Sequence, residues 1–528
     1  MSWIRILKFD NGIPSRIPNE HNLTKTSYSH DYYQQFLDKK IYLRGDKVRL
    51  GMDATDREKL RRVAPRSQST RHINLEASLL EITCWQIGTY GMGIDFLVRD
   101  IYLETPLLEI LCCRIGTCGR KWRESREYPS PLLNLKMGEK IGMAKLWALS
   151  LVVLVLAAAP SVPAVPITLI TSAVDKGAVC MDGTPPAYHM DPGSGAGKKS
   201  WIVNLEGGGW CESVTACMYR KGSRLGSSNL MERQLEFRGI LSSTPAENPD
   251  FYSWNRVMIR YCDGASFAGE GYDAGSRVYF RGQRIFNAAI QHLLSIGMSS
   301  ADQVLLAGGS AGGLSAILHC DQFGAFFAGR STTVKCLADA GLFLDAVDVA
   351  GGHTLRSYFG GVVATHRVAQ TLPRSCTGHL DATSCFFPQN IIGSIKTPIF
   401  LLNAAYDTWQ IHESLAPDVA DHGGAWRACK SNRLACNASQ MKVLQAFREQ
   451  MVGIVEGAFS RSKGNGFFIN SCFTHGQSKV PATWNANGSP TIHNKSIAKS
   501  VSDWYFGRAE VRAIDCPYPC DHTCHNDI

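Results

Sequence analysis

The feature that most constrains the fold is a glycine-flanked serine between two apolar segments. Residues 308–312 read GGSAG, after the apolar run 304–307 and before the apolar stretch 314–318. A buried strand that breaks at G-x-S-x-G and resumes as a helix presents its serine on a strained, exposed turn. A plain loop or a phosphate-binding turn is the alternative, but no lysine follows at P-loop spacing and G-x-G-x-x-G is absent. Ser310 is therefore a candidate nucleophile.

The alternation of apolar runs with helical stretches after residue 165 constrains the rest of the fold. This pattern is typical of a mostly parallel sheet covered by helices on both faces. We therefore predict one α/β domain, α/β-hydrolase-like and stabilised by disulfides. The predicted strands are residues 201–205, 256–261, 303–307, 342–344, 398–403 and 466–470, and the predicted helices are residues 278–295 and 440–459.

The end of a later strand supplies a candidate acid. A serine hydroxyl needs a histidine to take its proton and a carboxylate to orient that histidine. In sheets with this serine turn, the acid and then the histidine follow the serine along the chain. The second predicted strand after Ser310 leads into Asp407, which we predict to be the acid. Asp345 and Asp348 follow the preceding predicted strand and are the alternatives.

The loop after the last predicted strand contains a candidate base. Residues 466–470 lead into His475, which is where the histidine of such a site is expected. A single histidine elsewhere is more often a structural or surface residue, so position decides between the candidates. The competing histidines are His353, His366, His379 and His493.

A glycine-rich segment supplies the remaining hydrogen-bond donors. When a serine attacks an ester, negative charge forms on the carbonyl oxygen, and each N–H donor to it contributes about 10²–10³ in rate. The N–H of Ala311, directly after the serine, is one donor. The other lies in residues 204–211, NLEGGGWC, where Gly209 or Trp210 supplies the N–H. We expect no metal and no cofactor.

Residues 136–164 have the features of a secretory signal peptide. Basic residues precede an apolar run at 146–156, and small residues then lead to a predicted cut after Ala164. The alternative is a membrane anchor, which needs roughly 20 uninterrupted apolar residues. Pro160, Pro163 and Pro166 interrupt this run, so we expect no stable membrane insertion.

Three segments follow from this boundary. Residues 143–164 form the signal peptide, and residues 165–528 form the α/β-hydrolase-like domain. Residues 1–142 show no sustained helical or strand period. We interpret them as a disordered extension or one added by an incorrect gene model, with a small accessory region as the alternative.

The cysteine content indicates an oxidising compartment. Of 18 cysteines, 14 follow Ala164, and an even, high count after a signal peptide predicts disulfides. Cys516, Cys520 and Cys524 could alternatively form a zinc ribbon, but their spacing lacks the paired C-x2-C of such sites. Asn437, Asn487 and the helix-cap candidate Asn494 begin N-glycosylation triplets.

The charge distribution gives no support for a nucleic-acid partner. The chain has 55 Lys and Arg against 46 Asp and Glu, but from Val165 onward the counts are 31 and 29. Most of the excess positive charge therefore lies upstream of the predicted cut. Nothing in the remaining charge predicts nucleic-acid binding.

Six segments together carry a family resemblance. Residues 143–528 resemble the plant pectin acetylesterases, a group related to the animal carboxylesterase that removes a lipid from Wnt proteins. The segments are 204–211 (NLEGGGWC), 260–264 (RYCDG), 308–313 (GGSAGG), 403–407 (NAAYD), 470–475 (NSCFTH) and 515–520 (DCPYPC).

The resemblance implies a secreted, metal-free esterase of the cell wall that acts on acetylated pectin. We expect the protein to be a monomer. It implies Ser310, Asp407 and His475 as its triad. One departure from the family pattern is Gly476, because plant members usually have a cysteine directly after the histidine. If that cysteine anchors the loop, His475 is held less firmly here and one thiol lacks its partner.

Three functions remain open at this level. The first is hydrolysis of acetyl esters on pectin through an acetyl-enzyme. The second is a long-chain acyl or lipid carboxylesterase, which requires a deep apolar pocket. The third is a catalytically silent wall-binding homologue, which the substitution at Gly476 suggests.

Overall fold

A ten-stranded sheet organises the part of the chain that the structure describes. This structure is a computed structural model that describes residues 164–526. The predictions for residues 1–142 and for the signal peptide up to residue 163 lie outside the described residues. Within residues 164–526, the strands are β1 (Ala164–Leu169), β2 (Ala187–Asp191), β3 (Ser200–Leu205), β4 (Gln234–Glu236), β5 (Asn255–Ile259), β6 (Gly271–Asp273), β7 (Val278–Phe280), β8 (Gln303–Gly309), β9 (Thr333–Asp339), β10 (Ile399–Ala404), β11 (Gly466–Asn470), β12 (Thr491–Ile492), β13 (Lys495–Ser496) and β14 (Arg512–Ile514).

The sheet is parallel over most of its width. Its strand order is β14-β11-β10-β9-β8-β3-β5-β2-β1-β4. The strands from β14 to β5 pair in parallel, and β2, β1 and β4 add an antiparallel edge. The pairs β6–β7 and β12–β13 form two separate hairpins. Because parallel strands share one direction, the loops that follow β3, β8, β9, β10 and β11 emerge at the same edge of the sheet.

Helices connect these strands and cover both faces of the sheet. The α-helices within the described residues are α1 (Val214–Lys221), α2 (Gly282–Ser295), α3 (Ala311–Ala325), α4 (Thr354–His366), α5 (Arg374–Thr377), α6 (Ala382–Phe386), α7 (Thr408–Gln410), α8 (Arg427–Ser431), α9 (Ala438–Phe459), α10 (Pro481–Trp484) and α11 (Ile497–Tyr505). None of the helices within residues 164–526 combines the length and the apolar character that crossing a bilayer requires.

Alternating side chains of the central strands enter two separate cores. In β10, Ile399 and Leu401 pack in a core that also holds residues of α2, α3 and α9. Phe400 and Leu402 face the other way, into a core formed with α11. This alternation is the two-residue period of a strand buried on both faces. The predicted sheet with helices on both faces is confirmed.

One predicted strand is wrong. Residues 342–344 are buried but form a loop, and the strand at this place in the sheet is β9, residues 333–339. Lys335 and Asp339 interrupt the apolar pattern of β9, so the more apolar segment after it was the stronger signal. Residues 278–280 of the predicted helix 278–295 form β7, and α2 begins at Gly282.

All fourteen cysteines after Ala164 form disulfides. Cys516 pairs with Cys520 and Cys524 pairs with Cys472, so the sulfurs of the alternative zinc ribbon are not thiolate ligands. Within residues 164–526 no thiol is left without a partner, which corrects the expectation attached to Gly476. The remaining pairs are Cys180–Cys262, Cys211–Cys217, Cys320–Cys336, Cys376–Cys385 and Cys429–Cys436.

The three glycosylation triplets lie on the surface, but the helix cap is not where it was expected. Asn494 lies in the two-residue turn between β12 and β13 with φ 60°, and Ser496 caps α11. Asn437 instead caps α9, where its side chain accepts the N–H of Gln440. Glycosylation of the exposed Asn437, Asn487 and Asn494 stays a prediction.

Candidate active site

Ser310 lies on a strained turn between β8 and α3. Its backbone has φ 58° and ψ −127°, a conformation that costs a non-glycine residue of order 1–3 kcal/mol. The turn is tight enough to exclude side chains from its flanks. A Cβ at Gly312 would lie 2.1 Å from the carbonyl oxygen of Leu205 in β3. The small residues of the motif therefore let the backbone of the turn pack closely against β3, which places Ser310 at the end of the sheet.

His475 bridges Ser310 and Asp407. Its Nε2 lies 2.8 Å from the Oγ of Ser310, and its Nδ1 lies 2.9 and 3.0 Å from the two carboxylate oxygens of Asp407. The Asp407 carboxylate is fully buried and also accepts the N–H of Gln410, whereas the His475 side chain is 19% exposed. Three residues from three loops, separated by up to 165 positions, thus meet at one edge of the sheet.

The alternative acids have other partners. Asp345 accepts hydrogen bonds from His353 Nδ1 at 2.9 Å and from Arg356 Nε at 2.7 Å. Asp348 accepts the hydroxyl of Thr354 at 2.7 Å, directly before α4. Their carboxylates therefore organise the start of α4 instead of contacting His475.

The other competing histidines are structural or lie on the surface. His366 is fully buried, and its Nε2 contacts the carbonyl oxygen of Cys211 at 2.8 Å. His379 and His493 are exposed, and His493 occupies the turn between β12 and β13. Of the candidate histidines, the structure brings His475 to Ser310.

Asp339, at the end of β9, fixes the loop that carries His475. Its fully buried carboxylate accepts the backbone N–H groups of Gln477 and Ser478 and the hydroxyl of Ser478, at 2.7 to 3.1 Å. Its carbonyl oxygen accepts the N–H of Ser310 at 2.9 Å. Burial raises the pKa of this carboxyl, and the bonds from Ser478 and Gln477 oppose that shift. On the other side of His475, the Cys472–Cys524 disulfide ties the loop to the C-terminal segment.

Asp339 was not among the residues predicted from the sequence. It is the last residue of β9, but the strand was predicted at residues 342–344, so its carboxylate was not recognised at a strand end. Correct placement of β9 would have put an aspartate beside the serine turn, since Gly309 and Asp339 are partners in the β8–β9 register.

The glycine-rich loop after β3 lies against the serine turn. A Cβ at Gly207 would lie 3.0 Å from the Cβ of Ser310. Arg220 donates to the carbonyl oxygen of Gly208 at 2.9 Å, and the Tyr261 hydroxyl donates to that of Gly209 at 2.8 Å. Because C=O and N–H point in opposite directions across a trans peptide, these bonds orient the N–H groups of the next residues, Gly209 and Trp210.

Tyrosine hydroxyls bind the carbonyl oxygens of this glycine-rich loop, and the N–H groups of the loop remain available to a ligand. The Tyr358 hydroxyl donates to the carbonyl oxygen of Trp210 at 2.8 Å, and burial raises the pKa of Tyr358 to about 12, so the phenol keeps its proton. Among residues 164–526, no group accepts the N–H of Gly209, Trp210 or Ala311. These are the three N–H groups that the sequence proposed as oxyanion donors, and their role stays a prediction.

An aromatic cluster packs beside the loop and the histidine. The Trp210 ring lies 4.9 Å from Phe343 and 5.4 Å from Trp409, between ring centroids. Phe343 and Trp409 each lie 6.2 Å from the His475 ring. The loop wrongly predicted as a strand therefore places Phe343 against the imidazole, which limits the directions in which the ring can move.

Two cavities flank the site. One, of about 260 Å³, contains Ser310 and His475 and is otherwise lined mainly by charged side chains and glycines. The other, of about 440 Å³, borders Gly209 and Trp210 and combines aromatic walls with His412 and with the charged residues Glu413, Asp418 and Lys430. The smaller cavity contains Ser310 and His475 and is therefore the candidate site of catalysis.

Comparison with known proteins identifies the family. The family model described as pectinacetylesterase matches residues 158–525. The chain belongs to the pectinacetylesterase family. Pectin acetylesterase 5 of Arabidopsis thaliana is 47% identical over 365 residues, which cover 69% of this chain and 85% of that protein. Pectin acetylesterase 7 of the same plant is 46% identical over 364 residues, 68% of this chain and 93% of that protein.

Animal relatives match a smaller part of this family member. The human palmitoleoyl-protein carboxylesterase NOTUM is 30% identical over 255 residues, 44% of this chain and 49% of that protein. The solved structure of the Wnt deacylase Notum from Drosophila superposes with a TM-score of 0.58 at 23% identity, covering 69% of this chain and all of that one. The α/β-hydrolase-like fold is confirmed, and this pectinacetylesterase family member is a carboxylic ester hydrolase.

Proposed function

We propose that this protein is a secreted serine esterase that removes acetyl groups from acetylated galacturonan, with Ser310, His475 and Asp407 as its triad. The observation that carries the proposal is the position of His475, 2.8 Å from the Ser310 hydroxyl and 2.9 Å from the Asp407 carboxylate. The substrate class follows from the family and from the names of its Arabidopsis relatives.

In the acylation step, the Ser310 Oγ attacks the acetyl carbonyl carbon while its proton passes to His475 Nε2. Asp407 holds the imidazole in the required tautomer and stabilises its positive charge. The charge on the former carbonyl oxygen is met by the N–H groups of Gly209, Trp210 and Ala311. The bond from carbon to the sugar oxygen then breaks, and Nε2 returns the proton to that oxygen.

Deacylation repeats these transfers with water. His475 takes a proton from a water molecule as its oxygen attacks the acetyl-enzyme. Breakdown of the second intermediate releases acetic acid and restores the Ser310 hydroxyl when Nε2 returns the proton. Atoms and charges balance with no further reactant.

Two features support secretion to the wall. Seven disulfides within residues 164–526 are typical of a protein that folds in an oxidising compartment. A basic, apolar and small-residue segment precedes Ala164, where β1 begins. We expect N-terminal sequencing of the protein from culture medium to read from Val165. Retention of the chain in the cell, or residues before 143 in the secreted form, would refute this.

Replacement of the nucleophile tests the reaction. Ser310→Ala should lower acetate release from acetylated pectin by at least about 1,000-fold, since removal of a nucleophile eliminates the acyl-enzyme route. Its thermal midpoint should not fall. Ser295→Ala is the matched control, because Ser295 is exposed at the end of α2. Full activity of Ser310→Ala would end the proposal.

A long-chain carboxylesterase is the second candidate. The 440 Å³ cavity favours it, because Trp210, Tyr358 and Trp409 supply aromatic walls next to the proposed oxyanion donors. Glu413, Asp418 and other charged groups in the same lining disfavour burial of an acyl chain. Rates on aryl acetate and aryl octanoate decide between the two, and we expect acetate to be preferred.

The silent wall-binding homologue has a separate test. It should fail to react with a fluorophosphonate probe, which labels a serine only when a neighbouring base activates it. We expect labelling of Ser310, and none in Ser310→Ala.

A further inference from the structure

Two cations share a cavity with the proposed nucleophile. The 260 Å³ cavity around Ser310 and His475 is also lined by Arg224 and Lys479. They come from different parts of the chain, Arg224 from the loop after α1 and Lys479 from the loop after β11. The carboxylates of Glu206 and Asp339 line the same cavity. A substrate that brings its ester to Ser310 therefore meets charges of both signs, and their existing partners decide which of them can bind an anion.

The two cations differ in how they are paired. Arg224 is 43% exposed and binds Glu206 at 2.8 Å, with Glu232 at 3.6 Å. Glu206 also accepts from the buried Arg260 at 2.8 Å. By contrast, the Lys479 side chain makes no ion pair and no hydrogen bond with any residue in 164–526. Lys479 is thus a cavity-lining cation whose charge is not used within the described structure.

The backbone that carries Lys479 is fixed. Its neighbour Ser478 donates both its N–H and its hydroxyl to the Asp339 carboxylate at 2.7 Å. The Ser478 carbonyl oxygen accepts the N–H of Ile240 at 2.8 Å. Lys479 therefore projects from an anchored segment four residues after His475, and the entropy lost on binding an anion is mainly that of the lysine side chain.

We propose that Lys479, assisted by Arg224, binds the carboxylate of a uronate residue in the substrate. This inference rests on the proposed function and adds a determinant of substrate choice to it. A hexuronate carries its carboxylate on the same ring as its esterified hydroxyls, so an ester that reaches Ser310 brings a carboxylate close to it. An ammonium group with no other partner gains most from such an anion, because it gives up no existing ion pair.

The test compares one polymer in two charge states. Acetylated galacturonan with free carboxylates and the same polymer fully methyl-esterified serve as substrates for Lys479→Gln, Lys479→Arg and the wild type. Lys479→Gln should lower kcat/KM on the free acid about two- to fivefold more than on the methyl ester, the size of one partly exposed charge pair. Lys479→Arg should retain most of the preference. The loss should lie mainly in KM, because the contact exists before the reaction begins.

The matched control is Lys396→Gln. Lys396 is exposed and precedes β10, at the edge of the sheet opposite to Ser310. It should behave as the wild type on both substrates. High salt should reduce the wild-type preference for the free acid and should have a smaller effect on Lys479→Gln, which keeps only Arg224.

The outcomes separate this inference from the function on which it rests. If the wild type releases acetate but Lys479→Gln loses the same factor on both substrates, the uronate contact is wrong and the esterase stands. Equal salt dependence of the wild type and the variant would also overturn the contact. Absence of acetate release by the wild type from either substrate would instead refute the proposed function.

Discussion

Two histidines of this chain show how surroundings decide the chemistry of one residue type. His475 is partly exposed, and its two ring nitrogens contact a hydroxyl and a carboxylate, as the proposed proton transfer requires. His366 is enclosed, with its ring 4.5 Å from Phe280, and it contacts the carbonyl oxygen of Cys211. Burial lowers the pKa of His366 to about 3, so the ring is neutral at neutral pH.

This burial predicts a loss of stability in acid. The unfolded chain binds a proton at its histidines near pH 6.5, whereas folded His366 binds one only near pH 3. Between these values the unfolded state holds more protons, so the free energy of unfolding falls as the pH falls, by about 3 kcal/mol from pH 6.5 to pH 4. His366→Gln should be less stable than the wild type at pH 7, but its free energy of unfolding should fall less on acidification.

Thermal unfolding across that pH range measures the effect. His379→Gln is the control, because His379 is exposed and its replacement should follow the wild type. If His366→Gln and the wild type lose the same stability in acid, another group must be responsible for that loss.

The residues of the proposed triad were easier to predict than the residues that hold them in place. Ser310, Asp407 and His475 follow from a motif and from strand ends, because a parallel sheet delivers the ends of its strands to one edge. Asp339 and Lys479 have no local motif. Their roles depend on contacts with loops more than 100 residues away for Asp339 and on a cavity for Lys479, and neither is encoded in residue spacing.

At the scale of the element, the serine turn depends on backbone contacts that no side chain can enter. The start of α3 lies against the end of β3, since a Cβ at Gly312 would come within 2.1 Å of the Leu205 carbonyl oxygen. Gly453, in the exposed interior of α9, has no atom within 4 Å of a Cβ. Two helical glycines of the same chain thus have opposite requirements.

Alanine at these two positions should change stability in opposite directions. Gly312→Ala must displace backbone and should lower the free energy of unfolding by at least about 2 kcal/mol, with loss of activity. Gly453→Ala should raise it by about 0.5–1 kcal/mol, because alanine loses less entropy than glycine in a helix. Denaturant unfolding gives both values. A Gly312→Ala protein with wild-type stability and activity would contradict the close packing described here.

Strands with a continuous apolar pattern were predicted well, and those with polar interruptions were not. The prediction for residues 466–470 matches β11 in full, whereas β9 was placed too late because of Lys335 and Asp339. Lys335 fits in this strand because of tertiary contacts: its ammonium lies 4.8 Å from the Trp504 ring and donates to the Trp504 carbonyl oxygen. Such a partner, supplied by α11, cannot be read from the strand alone.

For the whole molecule, the disulfides differ greatly in the length of chain that each one closes. Cys180–Cys262 joins residues 82 positions apart, across the antiparallel edge of the sheet. Cys429–Cys436 closes a separation of only 7. In the chain-entropy description, a cross-link restricts the unfolded state more as its loop lengthens.

Removal of each bridge should therefore have a different effect. Cys180→Ser with Cys262→Ser should lower the free energy of unfolding by about 4.5 kcal/mol, and Cys429→Ser with Cys436→Ser by about 2.3 kcal/mol. Urea unfolding of the two double variants measures the difference. A larger loss at the short loop would show that native contacts outweigh loop entropy in this protein.

The pairings themselves illustrate what the sequence left open. An even count of fourteen predicted that bridges form, but the partners depend on which loops the sheet brings together. Cys472 and Cys524, which stand on either side of the C-terminal strand, meet because β14 aligns beside β11.

The two attachments of Asp339 have a mechanical consequence for the enzyme as it fluctuates. Asp339 binds the serine turn through its backbone carbonyl oxygen and the loop that carries His475 through its carboxylate. We expect a thermal displacement of β9 to carry Ser310 and His475 in the same direction, so that the distance between them varies less than the position of either one. Substitutions that shift the sheet edge as a whole should consequently be tolerated far better than those that detach either partner from this shared anchor.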